Sequence, residues 1–237
     1  MIGIIGAMDI EISLLTAAMS DCEEFTCCSQ KFLWGRIGGC EVVVSKCGIG
    51  KVNAAMCASI MILKFGADII INTGVAGALD RSLKQLDLVI SSAFVQHDID
   101  LSPIGIEPGL IPENGSVSIA SDAELSALAL SLAPSPDGAK AITGVIATGD
   151  QFIADSGRAA DIAARFGAAA CDMEGGAIAQ VCAMSGIKLI ALRCISDNAD
   201  GSAGLSFDEF APQAADKCSN MVLRLLDAIA KKDGQAI

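Results

Sequence analysis

The chain has 237 residues, 52% of them hydrophobic and 4% aromatic, with a net charge of -12. That length carries one large α/β domain, spanning 1–237, with a full core. The acidity argues against nucleic acid and anionic membrane surfaces as partners, because phosphates select Lys/Arg surfaces, and leaves an uncharged nucleoside open.

In chain order, Ile2–Gly6 reads as a strand, and Asp9 as the cap of a helix carrying Ile10, Leu14, Leu15 and Met19 on one face. Trp34–Ile37 and Glu41–Cys47 read as paired strands about Gly38–Gly39. GIGKVNAA (48–55) is a Gly-rich turn opening a helix that ends near Gly66. Ala67–Asn72 is a buried strand, with TGVAGAL as a tight turn after it, and Leu86–Ser91 is another strand. From His97 to Asn114 the chain reads as a long loop, of the kind usually tied to function. Ala120–Leu132 is helical, Ala141–Ala147 a strand, and Asp155/Ser156 opens a helix to about Phe166. The helix Ser206–Lys231 closes the chain. This alternation predicts an α/β sheet with helices on both faces.

Two late segments carry the strongest chemical signal. CDMEGGAIAQV (171–181) and IALRCISDNADG (190–201) each run apolar and then stop at acids. Small and β-branched runs mark buried parallel strands, whose carboxyl ends open the ligand crevice of α/β folds. Glu174 and Asp197 are thus expected to face one pocket, and Glu11, after the first strand, to join them. Each has a plain structural alternative: a macrodipole partner for Glu11, an Asx-turn or helix cap for Asp197. Gly175–Gly176 would let a ligand approach the backbone beside Glu174. Arg193, inside an apolar strand, needs an acid partner, with Glu11 as the candidate. The Gly-rich turns could cradle an anion at a helix N-terminus or simply need positive φ.

The ten cysteines contain no C-x-x-C spacing, and His97 is the one histidine, which argues against a Cys/His zinc site. Cys171, Cys182 and Cys194 read as reduced core residues, as in a cytoplasmic protein. The first residues enter a strand directly, so no signal peptide is expected. No apolar run reaches a membrane span free of charge or Gly.

Taken in order, GIIGAMDIE, SKCGIGKVNAA, IINTGVAGAL, QHDID, TGDQFI, DMEGGAIAQV, RCISDNAD and LSFDEF resemble the 5′-methylthioadenosine/S-adenosylhomocysteine nucleosidase family of the purine nucleoside phosphorylase-like superfamily. The resemblance implies a three-layer α/β/α fold about a mixed, mostly parallel twisted sheet. It implies hydrolysis of an adenine N-glycosidic bond by a cytoplasmic homodimer, with no cofactor and no metal. Glu11 would deprotonate the attacking water and Asp197 protonate purine N7. Glu174 would accept the ribose hydroxyls, with Met173 against the sugar. Phe152 would stack on adenine, Ile153 read its edge, and Ala76, Gly77 and Ser196 contact the substrate. Arg193 would hold the catalytic water, and Met8, Ile49 and Phe207 line the 5′-thio pocket. Three departures stand out: Val75 where the family often has Ser, Ala78 for a second Gly, and Ile104 and Ile106 where aromatics are common.

Overall fold

The structure, a computed structural model, describes residues 1–133 and 138–235, without the side chains of 205 and 233–235. Ten strands form one mixed sheet: β1 (Ile2–Gly6), β2 (Ser20–Cys27), β3 (Gln30–Ile37), β4 (Cys40–Lys46), β5 (Ile69–Ala78), β6 (Leu88–Gln96), β7 (Ser118–Ala120), β8 (Ala141–Thr148), β9 (Ala168–Asp172) and β10 (Lys188–Asp197). The helices are α1 (Asp9–Ala17), α2 (Lys51–Phe65), α3 (Ala123–Leu132), α4 (Ser156–Phe166), α5 (Gly175–Ser185) and α6 (Ala203–Gln235). One apolar core joins α2 and α5 to a sheet face through Cys57, Met61, Ile178 and Cys182. A second joins α3 and α6 to the opposite face through Leu125, Val222 and Leu225. The result is the expected α/β/α layering. No disulfide joins the ten cysteines, and Cys171, Cys182 and Cys194 are buried.

The path β10-β6-β8-β9-β5 returns to β10, because β10 also pairs with β5, so half of the sheet closes on itself. β5 is the pivot. Its parallel pairing with β1 stops at Asn72, and its antiparallel pairing with β9 starts at Gly77. Between them Thr73–Ala76 keep β10 on one edge and no strand on the other. A cleft therefore opens at the carboxyl ends of β1, β9 and β10, where crevices form in α/β sheets.

Several local expectations change. TGVAG is not a turn but the second half of β5: with β10 alongside, its small residues pack as strand. Met8 rather than Asp9 is the N-cap of α1, and Asp9 lies in its first turn. β2 is an added edge strand whose SDCEEFTC sequence is nearly all exposed, so it carries no apolar run. β6 continues to Gln96 and α6 begins at Ala203, passing through Pro212.

Gly175 and Gly176 serve packing rather than ligand approach. A Cβ on Gly176 would lie 2.9 Å from both Gln96 Cγ and Thr148 Cβ. One on Gly175 would meet Asp172 Oδ2 at 2.6 Å. The absent side chains let the start of α5 lie against β6 and β8. Gly176→Ala should therefore lower stability by about 2 kcal/mol through overpacking. Gly204→Ala in α6, with nothing within 4 Å of its Cβ, should not. Urea unfolding midpoints of the two variants check this.

Candidate active site

The cleft holds about 600 Å³ of empty space, part of it open solvent. Every residue to which the resemblance gives a catalytic or substrate-binding role lines it except Arg193: Met8, Glu11, Ile49, Ala76, Gly77, Phe152, Ile153, Met173, Glu174, Ser196, Asp197 and Phe207. Ala7, Val75, Gln151, Cys171 and Asp172 complete the wall.

Glu11 reaches the cleft from the first turn of α1. Its Oε2 accepts the N–H groups of Ala7 and Met8 at 2.7 and 3.0 Å. Its Oε1 accepts the Val75 N–H at 2.9 Å, on the stretch of β5 whose outer edge no strand covers. Gly74 makes this approach possible, since a Cβ there would collide with the Glu11 carboxylate. Ser219 of α6 holds the Glu11 carbonyl at 3.0 Å. The side chain is buried. Burial pushes its pKa up, and that outweighs the Arg193 charge and the three N–H donors, which pull it down.

Asp197 ends β10. The β5–β10 register shifts between Ile195 and Asp197, so a bulge re-aims this side chain toward the cleft. Oδ2 accepts from Ser196 Oγ at 2.8 Å and Oδ1 from the Ala199 N–H at 2.9 Å. Gly77 leaves it room, because a Cβ there would sit 3.0 Å from Asp197 Oδ1. Burial raises its pKa despite these donors, and Asp200 adds to the rise. Burial is the main cause.

Glu174 is the N-cap of α5. Its Oε1 accepts the Gly50 N–H at the start of α2, 2.8 Å away. Burial and then the charge of Asp172 push its pKa up to about 7. Across the cleft mouth, Phe152 meets Phe207 edge to face at 5.8 Å. Phe152 is 51% exposed, so it is not the core aromatic its type would suggest, whereas Ile153 is buried.

Arg193 departs from expectation in its acid partner. Its acid partner is Asp172, not Glu11: Nη2 and Nε reach Asp172 Oδ2 at 2.7 and 3.1 Å. The remaining fork binds the carbonyl and side-chain oxygens of Asn72. It is buried and does not line the cavity itself, but its charge acts on Glu11, which does. Asp172 is the functional residue the sequence reading passed over; an acid ending its own apolar run, paired against a strand arginine, was the available signal. His97 is buried, with neither ring nitrogen hydrogen-bonded. Among the described residues no His, Cys, Asp or Glu cluster of three is placed to hold a metal.

The acids thus sit on different walls of one cavity, with an exposed aromatic at its mouth. The Phosphorylase superfamily model matches residues 1–227. A 5′-methylthioadenosine/S-adenosylhomocysteine nucleosidase of Shewanella halifaxensis is 40% identical over 226 residues, covering 95% of this chain and 98% of its own. The chain belongs to the 5′-methylthioadenosine/S-adenosylhomocysteine nucleosidase family. The Neisseria meningitidis nucleosidase, solved with methylthio-immucillin-A, superposes with a TM-score of 0.92 at 36% identity, over 96% of this chain and 98% of that one. A futalosine hydrolase of Helicobacter pylori strain 26695 superposes with a TM-score of 0.91 at 37% identity, over 96% and 97% of the two chains. The nucleosidase family therefore shares its fold closely with an enzyme named for a different nucleoside.

Glu174 gives a pH test. Its pKa rises from 4.5 in the free carboxyl to about 7 in the fold. The folded state then holds the proton more tightly, so this group's contribution is complete below the unfolded value. It is lost as pH climbs through the folded one. Glu174→Gln keeps an acceptor for Gly50 without the charge. The variant's urea midpoint, relative to wild type, should gain between about pH 5 and about pH 8. A constant difference across that window would contradict the assignment.

Proposed function

We propose that the chain hydrolyses the N-glycosidic bond of 5′-methylthioadenosine and S-adenosylhomocysteine, releasing adenine and the 5-thioribose product. The observation that carries this reading is the convergence of Glu11, Asp197 and Glu174 on one cavity, each buried and each with a raised pKa. Adenine leaves poorly as an anion. Asp197, whose proton affinity burial raises, donates to purine N7 so that the base departs neutral. As the bond from the ribose anomeric carbon to purine N9 breaks, positive charge develops on the sugar. Glu11 stabilises that charge across the cavity. It also takes a proton from water, whose oxygen bonds the anomeric carbon. Each acid or base step contributes roughly 10²–10⁴-fold.

The remaining roles are those the family resemblance implies for residues on the cavity wall. Glu174 accepts the ribose hydroxyls, and Met173 packs on the sugar. Phe152 stacks on adenine, while the Ile153 backbone reads the purine edge. Ala76, Gly77 and Ser196 flank the base beside Asp197. Met8, Ile49 and Phe207 receive the 5′-thio group. Arg193, anchored by Asp172, helps Glu11 hold the catalytic water. Val75 offers its N–H to Glu11 and no hydroxyl, so Glu11 orients the water without help from that side chain.

We further propose a cytoplasmic homodimer working in methionine salvage and removal of methyl-transfer by-products. Ten cysteines without a disulfide suit a reducing compartment. Ile49, Val52 and Ile104 are apolar and 57%, 79% and 73% exposed, the kind of surface a second copy would cover. Aminofutalosine or 5′-deoxyadenosine is the second reading. It is favoured by the likeness to futalosine hydrolase and by the aliphatic Ile104 and Ile106 in the loop expected to cover the 5′ group.

Adenine should be released from 5′-methylthioadenosine in phosphate-free buffer, followed by loss of nucleoside absorbance or by chromatography. Release only after phosphate is added would make the enzyme a phosphorylase. Asp197→Asn should cut kcat by about 10²–10⁴-fold while leaving substrate binding largely intact. Near-normal turnover would remove Asp197 from the acid role.

A further inference from the structure

Three residues of the ordered sequence motifs, Lys51, Asp98 and Asp150, have no role in the chemistry above, yet the fold brings them together. Lys51, from GIGK at the start of α2, extends Nζ to Asp98 Oδ1 at 2.7 Å and to Gln96 Oε1 at 3.2 Å. Asp98 belongs to the QHDID segment, and its other oxygen accepts the Asp150 N–H at 3.0 Å. Asp150, from TGDQFI, returns its own Oδ1 to the Lys51 N–H at 2.8 Å. The three residues form a closed ring of contacts. None lines the cavity, and the Lys51 and Asp98 side chains are only 19% and 17% exposed.

What the ring joins is informative. Gly50 donates to Glu174 and is followed directly by Lys51. Asp150 is followed by Gln151, Phe152 and Ile153, all on the cavity wall. One end of the ring thus fixes the turn that aims Glu174. The other fixes the segment bearing the exposed aromatic. Gln96 anchors it to the sheet, donating in turn to Gln180 of α5 at 2.8 Å.

We propose that Asp98 is a positioning residue that sets the distance between the ribose-holding and purine-holding walls of the site. This rests on the nucleosidase reading for the identity of the two walls. A nucleoside joins base and sugar rigidly, so it must meet both walls in register, and misplacement is expressed as lost affinity. Glu11 and Asp197 ride on β5 and β10 contacts that do not involve the ring, so the chemistry of bound substrate should be spared. Asp98 is held charged: burial would raise its pKa, but Lys51 and the Asp150 N–H lower it further.

Asp98→Ala should raise KM for 5′-methylthioadenosine about tenfold with kcat within about threefold. Lys51→Met, which keeps the main-chain N–H to Asp150, should do the same. The double variant should be little worse than the poorer single one, because both remove one shared contact. An unchanged KM, a fall in kcat alone, or additive losses would overturn the proposal, since lost folded protein lowers kcat without moving KM. Amide exchange provides a measurement independent of turnover. Exchange in Asp98→Ala should quicken at 48–51 and 149–153 and stay slow along β10. Unchanged exchange at those two segments would also overturn it. An inert wild-type protein would sink the nucleosidase reading alone, leaving exchange to decide the clasp.

Discussion

A buried guanidinium holds the sheet together where β5 changes partners. β1 leaves β5 at Asn72 and β9 arrives only at Gly77, so a polar strand edge lies open inside the molecule. Arg193 spans the floor of that gap. It takes both oxygens of Asn72 on one side and Asp172, the last residue of β9, on the other. The Asn72 amide group also donates to the Ile5 carbonyl of β1 at 2.9 Å. Four strands meet through one fork. Such a pair adds little net stability over apolar packing, but removal of one partner strands a buried charge at roughly 3–5 kcal/mol. Its use here is geometric: it keeps the strands parted while satisfying the groups that parting exposes.

The upper part of the same gap is closed by Glu11. The Val75 N–H would have no strand partner on that edge, and the carboxylate accepts it. Structure and chemistry therefore draw on one residue. An acid held by three N–H groups is fixed in direction, while burial raises its proton affinity. Asp197 and Glu174 show the same competition between desolvation and donated hydrogen bonds, and desolvation wins in each. Perturbation of this kind in a cleft is what acid-base sites share. The cavity walls thus tune the acids by excluding water more than by pairing them with charges.

Much of this was legible in the sequence because carboxylates cannot sit within a buried strand. Glu174 and Asp197 interrupt apolar runs at strand ends, and the cleft is where they emerge. The parts that were not legible depend on partners remote in sequence. TGVAG has turn composition, and only β10 alongside makes it strand. Gly175 and Gly176 look like a ligand approach until Gln96, Thr148 and Asp172 are seen where their Cβ atoms would go. Arg193 announced that it needed an acid, but Glu11 and Asp172 both qualified, and the choice is made by strand order rather than by composition. β2 is an exposed edge strand and has no pattern to read.

The Gly-rich turn at 48–51 settles which anion a helix N-terminus serves. Gly48 and Gly50 have φ of 88° and 97°, so the glycines are required by backbone conformation. The turn also presents N–H groups at the start of α2, as an anion cradle does. Both readings of the motif hold at once, but the anions are the protein's own. Gly50 donates to Glu174 and Lys51 to Asp150, and the Lys51 ammonium is committed to Asp98. A phosphate entering here would have to displace two carboxylates, forgo the lysine and approach a cavity that already contains Glu11. Water, being neutral and small, meets none of these obstacles. In this chain the N–H groups at the start of α2 are already taken by the protein's own carboxylates.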